Sequence, residues 1–494
     1  MNRGTFSPSI SDASGYMAGA QLLRDGQLAR PVPLGLIPAI RDSGATLSPL
    51  GFRPGVVPGI EVPTYPLGYP MLMAVAMRFG GEPAAYLVGP VMLAALIWCV
   101  FLIAAALGGS VAGVLAAAMI AANPIALQNS LTLMSDVPAA ACWAAAWYFA
   151  LRGTRSAAAT AGALVTLASL IRPNLAPLAL VPAVLVLCGG GCRHVGWSWL
   201  SALLFGVVAA VGPFVTAWSQ QALYGSAFQP GYPGWESFFR SEHLAQNMRT
   251  YPGLLLSVFG WLPLAGVALV VRPPAGGHRV VASAVAFIAI NVAIYAAYLP
   301  YDHWQFLRFF LPAMVALTVL FAATVARAMA ALQRRRLVAL AWLLPLSAAA
   351  ISWPGREVTA WVLDEWRVHQ RVPLMGHYLR ETLPPTAVVI TYYHGGSVAY
   401  YTGHATLSLE SLPPHALDEL VLNLERLGAA PVFLVDEALE ETQFKTLFHD
   451  SLYGALDWPA RAEFIGTGRI RYFVASDRER YRAGERWATD VLRP

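Results

Sequence analysis

Four charged residues lie where an apolar chain seldom keeps charge: two acids, which could act in catalysis, and two arginines, which could hold a phosphate. Asp12 stands in Ser11-Asp12-Ala13-Ser14-Gly15-Tyr16, ahead of a short amphipathic pattern that ends at Arg24-Asp25-Gly26, and Asp136 stands in Ser135-Asp136-Val137-Pro138 at the head of an apolar run. Each acid also fits a structural role, because Asp accepts hydrogen bonds from the free N–H groups of a helix start and Pro138 suits an early helix position. Arg172, in Ile171-Arg172-Pro173-Asn174, and Arg308, in Leu307-Arg308-Phe309-Phe310-Leu311-Pro312, are cations at the edges of apolar runs. A guanidinium can hold a lipid phosphate through two hydrogen bonds. The alternatives are snorkelling or a salt bridge, for Arg308 to Asp302.

What must position these residues is a bundle of membrane helices. Hydrophobic residues make up 57% of the chain and charged ones 12%, where a soluble domain carries roughly 25% charge, and the mean hydropathy is +0.53. This composition argues against a soluble enzyme. Apolar runs long enough to cross about 30 Å of hydrocarbon number about ten. They lie near 85–107, 111–128, 134–151, 156–171, 174–190, 197–219, 251–271, 280–299, 307–330 and 337–353.

With the first run descending into the cytoplasm, the cytoplasmic connections hold Arg152, Arg155, Arg193, Arg272, Arg279, Arg327, Arg334, Arg335 and Arg336, with no Asp or Glu among them. That asymmetry is the positive-inside pattern. It also accounts for the net charge of +5, so nucleic-acid binding is not expected. The opposite, outer face gathers Asp12, Asp136, Arg172, Arg308 and the turn Tyr301-Asp302-His303-Trp304. Chemistry on a polar substrate is therefore expected outside the cytoplasm.

The expected fold is a polytopic α-helical membrane protein of about ten spans with a small C-terminal α/β domain. Residues 1–84 form a first outer loop with juxtamembrane helices, 85–353 the transmembrane body, and 354–494 an extracytoplasmic α/β domain. In that last region Thr386–Tyr392 and Pro431–Val435 read as buried strands, 415–427 and 438–449 as amphipathic helices. Arg461–Ile465 and Arg469–Ala475 read as a hairpin turned by Gly466-Thr467-Gly468. Cys99 and Cys142 fall inside spans, and Cys188 and Cys192 have only His194 beside them, so ordinary thiols are expected and no metal site. Met1–Ile10 lacks a signal-peptide pattern, yet the topology puts it outside; a further helix encoded upstream would account for this.

The order and sidedness of these motifs resemble the C-type (GT-C) glycosyltransferase superfamily, especially protein O-mannosyltransferases and the lipid A aminoarabinose transferase. The resemblance rests on Asp12 to Tyr16, on Pro63-Thr64-Tyr65-Pro66-Leu67-Gly68-Tyr69-Pro70, and on the run starts at Ser135-Asp136 and Arg308-Phe309. Two features depart from it: Ala13 follows Asp12 where relatives commonly keep a second acid, and the span that precedes the acid is absent from the chain.

The resemblance implies an integral protein of the bacterial inner membrane that takes a sugar from a polyprenyl-phosphate donor in the outer leaflet. The sugar passes with inversion to a hydroxyl of a glycan, lipid or protein acceptor. It implies Asp12 as general base and Arg172 and Arg308 as ligands of the donor phosphate. Tyr16, Tyr65, Tyr69, Asp136, Asp302 and His303 would line the substrate pocket, though interfacial aromatics also serve as belt residues. No cofactor or metal is expected, because arginine charge suffices for a monophosphate leaving group. The alternative is a transporter or flippase for lipid-linked glycans, which predicts ionisable residues at mid-membrane and half-symmetric repeats. A non-catalytic assembly protein is a third reading.

Overall fold

The computed structural model describes residues 6–9, 11–32, 48–190, 198–232, 235–260, 266–334, 356–409, 412–438, 440–466 and 468–494. The expected span at 337–353 lies outside the described residues, as do Arg193, Arg335, Arg336, Cys192 and His194.

Helix α1 (Ser11–Arg24) lies against α2 (Gly68–Gly80). Between them in sequence runs a three-stranded antiparallel sheet of order β1-β3-β2, made by β1 (Arg30–Pro31), β2 (Phe52–Pro54) and β3 (Ile60–Pro63). Helix α3 (Val88–Ala121) then breaks at Gly109, whose φ of 79° is a backbone state that glycine adopts without a Cβ clash. The expected runs 85–107 and 111–128 therefore meet at a kink. Next come α4 (Pro124–Leu131), capped by the Asn123 side chain, α5 (Asp136–Leu151), α6 (Arg155–Ile171), α7 (Leu180–Leu187) and α8 (Trp199–Tyr224). After them come α9 (Trp235–Phe238), α10 (His243–Phe259), α11 (Val267–Val271), α12 (His278–Ala296) and α13 (Leu311–Arg334).

Four helices among the described residues are long and apolar enough to cross a membrane: Glu82–Ala121, Trp199–Tyr224, His278–Ala296 and Trp304–Arg334. This is fewer than the apolar runs in the sequence, for visible reasons. The run at 251–271 straddles the end of α10 and the five residues of α11. The run at 134–151 becomes α5, which is buried on nearly every side, with Trp143 and Trp147 each 1% exposed. Apolarity there reflects a protein core as much as a lipid-facing surface.

Small residues let these helices close on one another. Where α6 crosses α8, a Cβ on Gly162 would stand 2.8 Å from the Phe205 carbonyl oxygen, and the Thr166 hydroxyl donates to the Val208 carbonyl at 2.6 Å. A Cβ on Gly68 would overlap the backbone of Leu170 and Ile171, which brings the start of α2 against the end of α6 and hence beside Arg172.

The C-terminal region is α14 (Arg356–Thr382) followed by a six-stranded mixed sheet of order β5-β4-β6-β8-β7-β9. Its strands are β4 (Ala387–Thr391), β5 (Ala405–Ser408), β6 (Ala430–Asp436), β7 (Ala462–Ile465), β8 (Arg469–Val474) and β9 (Asp490–Leu492). Strand β4 runs parallel to β5 and β6, while β6, β8 and β7 alternate in direction. The fully buried pattern of β4 matches a strand covered on both faces. Helix α15 (Gly395–Thr402) crosses from β4 to β5, α16 (Leu417–Arg426) from β5 to β6, and α17 (Glu441–Leu447) follows β6.

This region rests on the same end of the bundle as α1. The Ser397 hydroxyl donates to the Pro8 carbonyl at 2.6 Å, the Tyr401 hydroxyl donates to Ser7 at 3.1 Å, and Gly396 lies directly on Ser14.

Candidate active site

Polar side chains in the apolar body shape one cavity near the start of α13. Before α13 the chain makes a 3-10 turn, Trp304–Phe310, and the change of helix type leaves backbone groups without partners. Asn291, fully buried in α12, supplies them: its amide NH2 donates to the Phe309 carbonyl at 3.2 Å and its oxygen accepts from the Ala313 N–H at 3.1 Å. That bracket fixes Arg308 and Phe309. Asn247 on α10 donates to the Ala296 carbonyl at 3.0 Å and holds the loop carrying Tyr298. Asn174 donates to the Tyr295 hydroxyl at 2.7 Å, and Tyr295 stacks on Phe309 with ring centroids 5.0 Å apart.

The cavity encloses about 290 Å³, at the small end of the range for small-molecule sites. Asp12, Asp136, Arg172 and Arg308 all face it. They come from α1, α5, the α6–α7 turn and the turn before α13, so four distant segments meet there. Aromatic walls close it: Tyr16 and Tyr65 on one side, Tyr232 and Phe238 from the segment after α8, Tyr298 and Phe309 beyond. Thr216, Ser219 and Gln220 put the polar face of α8 along it, while Phe214 and Trp218 on the same helix are exposed.

The charges are paired. Asp136, 3% exposed, forms an ion pair with Arg172, whose guanidinium lies 5.5 Å from the Phe309 ring centroid. The carboxylate of Asp136 therefore meets a cation instead of capping α5, and Ser135 spends its hydroxyl on Tyr16 at 2.8 Å. Asp12 sits inside the first turn of α1. Its Oδ1 accepts from the Tyr65 hydroxyl at 2.8 Å, and its Oδ2 faces Arg308 Nη2 at 3.4 Å. Burial, helped by the charge of Asp12, pushes the Tyr16 and Tyr65 phenols well above their ordinary range, so both stay protonated and Tyr65 keeps its proton for Asp12.

Of the residues singled out in sequence, Asp12, Tyr16, Tyr65, Asp136, Arg172 and Arg308 converge on the cavity. Three others lie apart from it. Tyr69 is fully buried beneath Tyr16, ring centroids 5.1 Å apart, because α2 turns it into the helix contact. His303 caps the 3-10 turn through Nδ1 to the Gln305 N–H, and Asp302 is exposed beside it, so Arg308 pairs with Asp12 and not with Asp302. Sequence reading passed over Asn174, Asn247 and Asn291 and the aromatics Tyr232, Tyr298 and Phe309. A polar amide within an apolar helix, such as Asn291, was the available signal.

A deeply buried acid–arginine pair, a second acid held by a tyrosine and aromatic walls thus share one cavity among the helices. Residues 64–218 match the dolichyl-phosphate-mannose-protein mannosyltransferase family.

The solved structure of ArnT from Cupriavidus metallidurans in the apo state is similar over 94% of this chain and 93% of its own, with a TM-score of 0.55 at 13% identity. The same protein bound to undecaprenyl phosphate is similar over 84% of this chain and 88% of its own, with a TM-score of 0.54 at 13% identity. Oligosaccharyltransferase AglB from Archaeoglobus fulgidus, in complex with an inhibitory peptide and a dolichol-phosphate, covers 92% of this chain and 70% of its own, with a TM-score of 0.51 at 11% identity. No curated protein matches the chain by sequence.

Proposed function

We propose that this protein transfers a sugar from a polyprenyl-phosphate donor to an acceptor hydroxyl at the outer face of a bacterial inner membrane, with inversion. The observation that carries the reading is the meeting of Asp12 with Arg308 and the Arg172–Asp136 pair in one aromatic cavity. The undecaprenyl phosphate and dolichol-phosphate bound by the similar ArnT and AglB structures support the choice of donor class.

In this mechanism the acceptor oxygen attacks the anomeric carbon as Asp12 takes its proton. The new carbon–oxygen bond forms on the face opposite the phosphate, the bond from that carbon to the phosphate oxygen breaks, and the lipid phosphate leaves with the electron pair. Arg308, with Arg172 beside it, stabilises the charge that gathers on the phosphate. Two guanidiniums supply that charge, so the reading invokes no metal. Tyr16 and Tyr65 flank the sugar, and the outer region after 354 covers the acceptor side.

The test is transfer by the purified chain with Asp12→Asn. Transfer of a radiolabelled lipid-linked sugar should vanish while expression and thermal unfolding stay near those of the parent. Near-normal transfer would remove Asp12 from the mechanism, and movement of the lipid across vesicles without transfer would favour a transporter.

A further inference from the structure

The two arginines of the cavity are not equivalent. Arg172 is committed to Asp136, a buried acid with which it makes a direct ion pair. Arg308 is held loosely: Nη2 stands 3.4 Å from Asp12 Oδ2, Nη1 has only the Met134 sulfur at 3.8 Å, and Nε is buried with no hydrogen-bond partner. Charge-assisted bonds to a guanidinium normally close to about 2.7–2.9 Å, so this fork is under-filled. Asp12 cannot fill it, because Tyr65 holds the other carboxylate oxygen at 2.8 Å and so fixes how the group is turned. A phosphate has no such tether. Its oxygens can take Nε and Nη2 side by side, the geometry a guanidinium offers best.

The four charges sum to zero before a donor arrives. An anionic phosphate entering this cavity competes with Asp12 for the same guanidinium.

Building on the sugar-transfer reading above, we infer that donor binding is an ion-pair exchange: the donor phosphate displaces Asp12 Oδ2 from Arg308, and that displacement frees Oδ2 to accept the proton of the acceptor hydroxyl. Oδ1 stays with Tyr65 throughout. Paired with Asp12, Arg308 occupies the oxygen that would do the chemistry; paired with the donor phosphate, the same arginine holds the leaving group. The exchange makes base activity conditional on a donor being present.

The exchange has a signature that needs no turnover. If Asp12 and the phosphate compete for Arg308, then Asp12→Asn should bind undecaprenyl phosphate about tenfold more tightly than the parent, although it transfers nothing. Binding would be measured on the full chain in nanodiscs, for the parent, Asp12→Asn, Arg308→Gln and the double variant. The tightening should disappear in the Arg308→Gln background, because the competitor then has nothing to compete for; this is a double-mutant cycle with a coupling of about tenfold. Arg308→Ala provides the same comparison if the Gln variant folds poorly.

No tightening in Asp12→Asn, or equal tightening with and without Arg308, overturns the exchange, the latter because it reports only the general relief of a negative charge. If the parent binds no undecaprenyl phosphate and transfers no sugar from an undecaprenyl-phosphate-linked donor, the donor reading itself has failed and the exchange falls with it.

Discussion

The Tyr65 hydroxyl donates to Asp12 Oδ1 at 2.8 Å, and the ring that carries it has no freedom to turn. It is wedged among Tyr16, with ring centroids 4.6 Å apart, Tyr232, at 5.5 Å, and the bare Cα of Gly15, where a Cβ would overlap the ring. The absence of a side chain at Gly15 thus sets where the Tyr65 hydroxyl stands, and through it how the Asp12 carboxylate is turned.

Tyr65→Phe should therefore lower kcat by about 10- to 100-fold, since a hydrogen bond to a charged group contributes roughly 1.5–3 kcal/mol. Donor KM should stay within about twofold of the parent if Tyr65 acts on the base and not on the phosphate. Gly15→Ala should reproduce the loss by displacing the ring. Steady-state kinetics with varied donor read both; equal changes in kcat and KM would place Tyr65 on the donor instead.

Arg172 and Arg308 should separate when each is cut to Ala. Arg172→Ala leaves the buried Asp136 without its counter-charge, which costs about 3–5 kcal/mol, so the leading effect is a fall in the unfolding temperature. Removing both partners with Asp136→Ala should restore much of it. Arg308→Ala should leave stability nearer the parent and lower donor kcat/KM by about 10- to 100-fold, because a contact to phosphate is lost. Lys at 308 should recover only part, lacking the planar fork. Thermal unfolding beside donor kinetics distinguishes the two sites.

The C-terminal region carries its own pH dependence. Burial pushes the Glu440 carboxyl up to about 7 even though it accepts from the backbone N–H groups of Tyr392 and Asp436. A carboxyl raised on folding stabilises the fold below its unfolded value near 4.5, and that contribution is lost as pH rises through about 7. Its neighbour Asp436 runs the other way: burial raises it, but His394 and Arg371 outweigh burial and hold it below the ordinary range, so its contribution is lost on acidification. The thermal stability of the full chain should accordingly fall as pH rises from about 4.5 to about 7, and Glu440→Gln should flatten that slope. An unchanged slope in the variant would assign it to other groups.

Orientation is open to a direct check. From the arginine asymmetry the region after 354 is expected outside the cytoplasm. A reporter fused at Pro494 that works only in the cytoplasm should be silent, and one that works only outside should be active. A bright cytoplasmic reporter would reverse the topology and with it the side on which the donor is used.

The sequence by itself determined the apolar surroundings and which charged residues stand out in them. A charged group beside hydrocarbon is costly enough to be rare, so Asp12, Asp136, Arg172 and Arg308 stood out from an apolar background without any knowledge of contacts. The same holds for β4 and β6, whose unbroken apolar runs are local patterns.

Pairing was decided elsewhere. Asp136 met Arg172 instead of capping α5, Arg308 met Asp12 across 296 positions instead of Asp302 nearby, and Tyr69 turned into a helix contact while Tyr65 turned toward Asp12. Each outcome depends on which helix faces which, and that is set by close approaches at Gly15, Gly68 and Gly162 and by the brackets Asn291 and Asn247 provide. A glycine or an amide reads alike in sequence whether it faces lipid or another helix. Local spacing constrains a helix's own faces, whereas an ion pair answers to distance in space, which only the packed bundle defines.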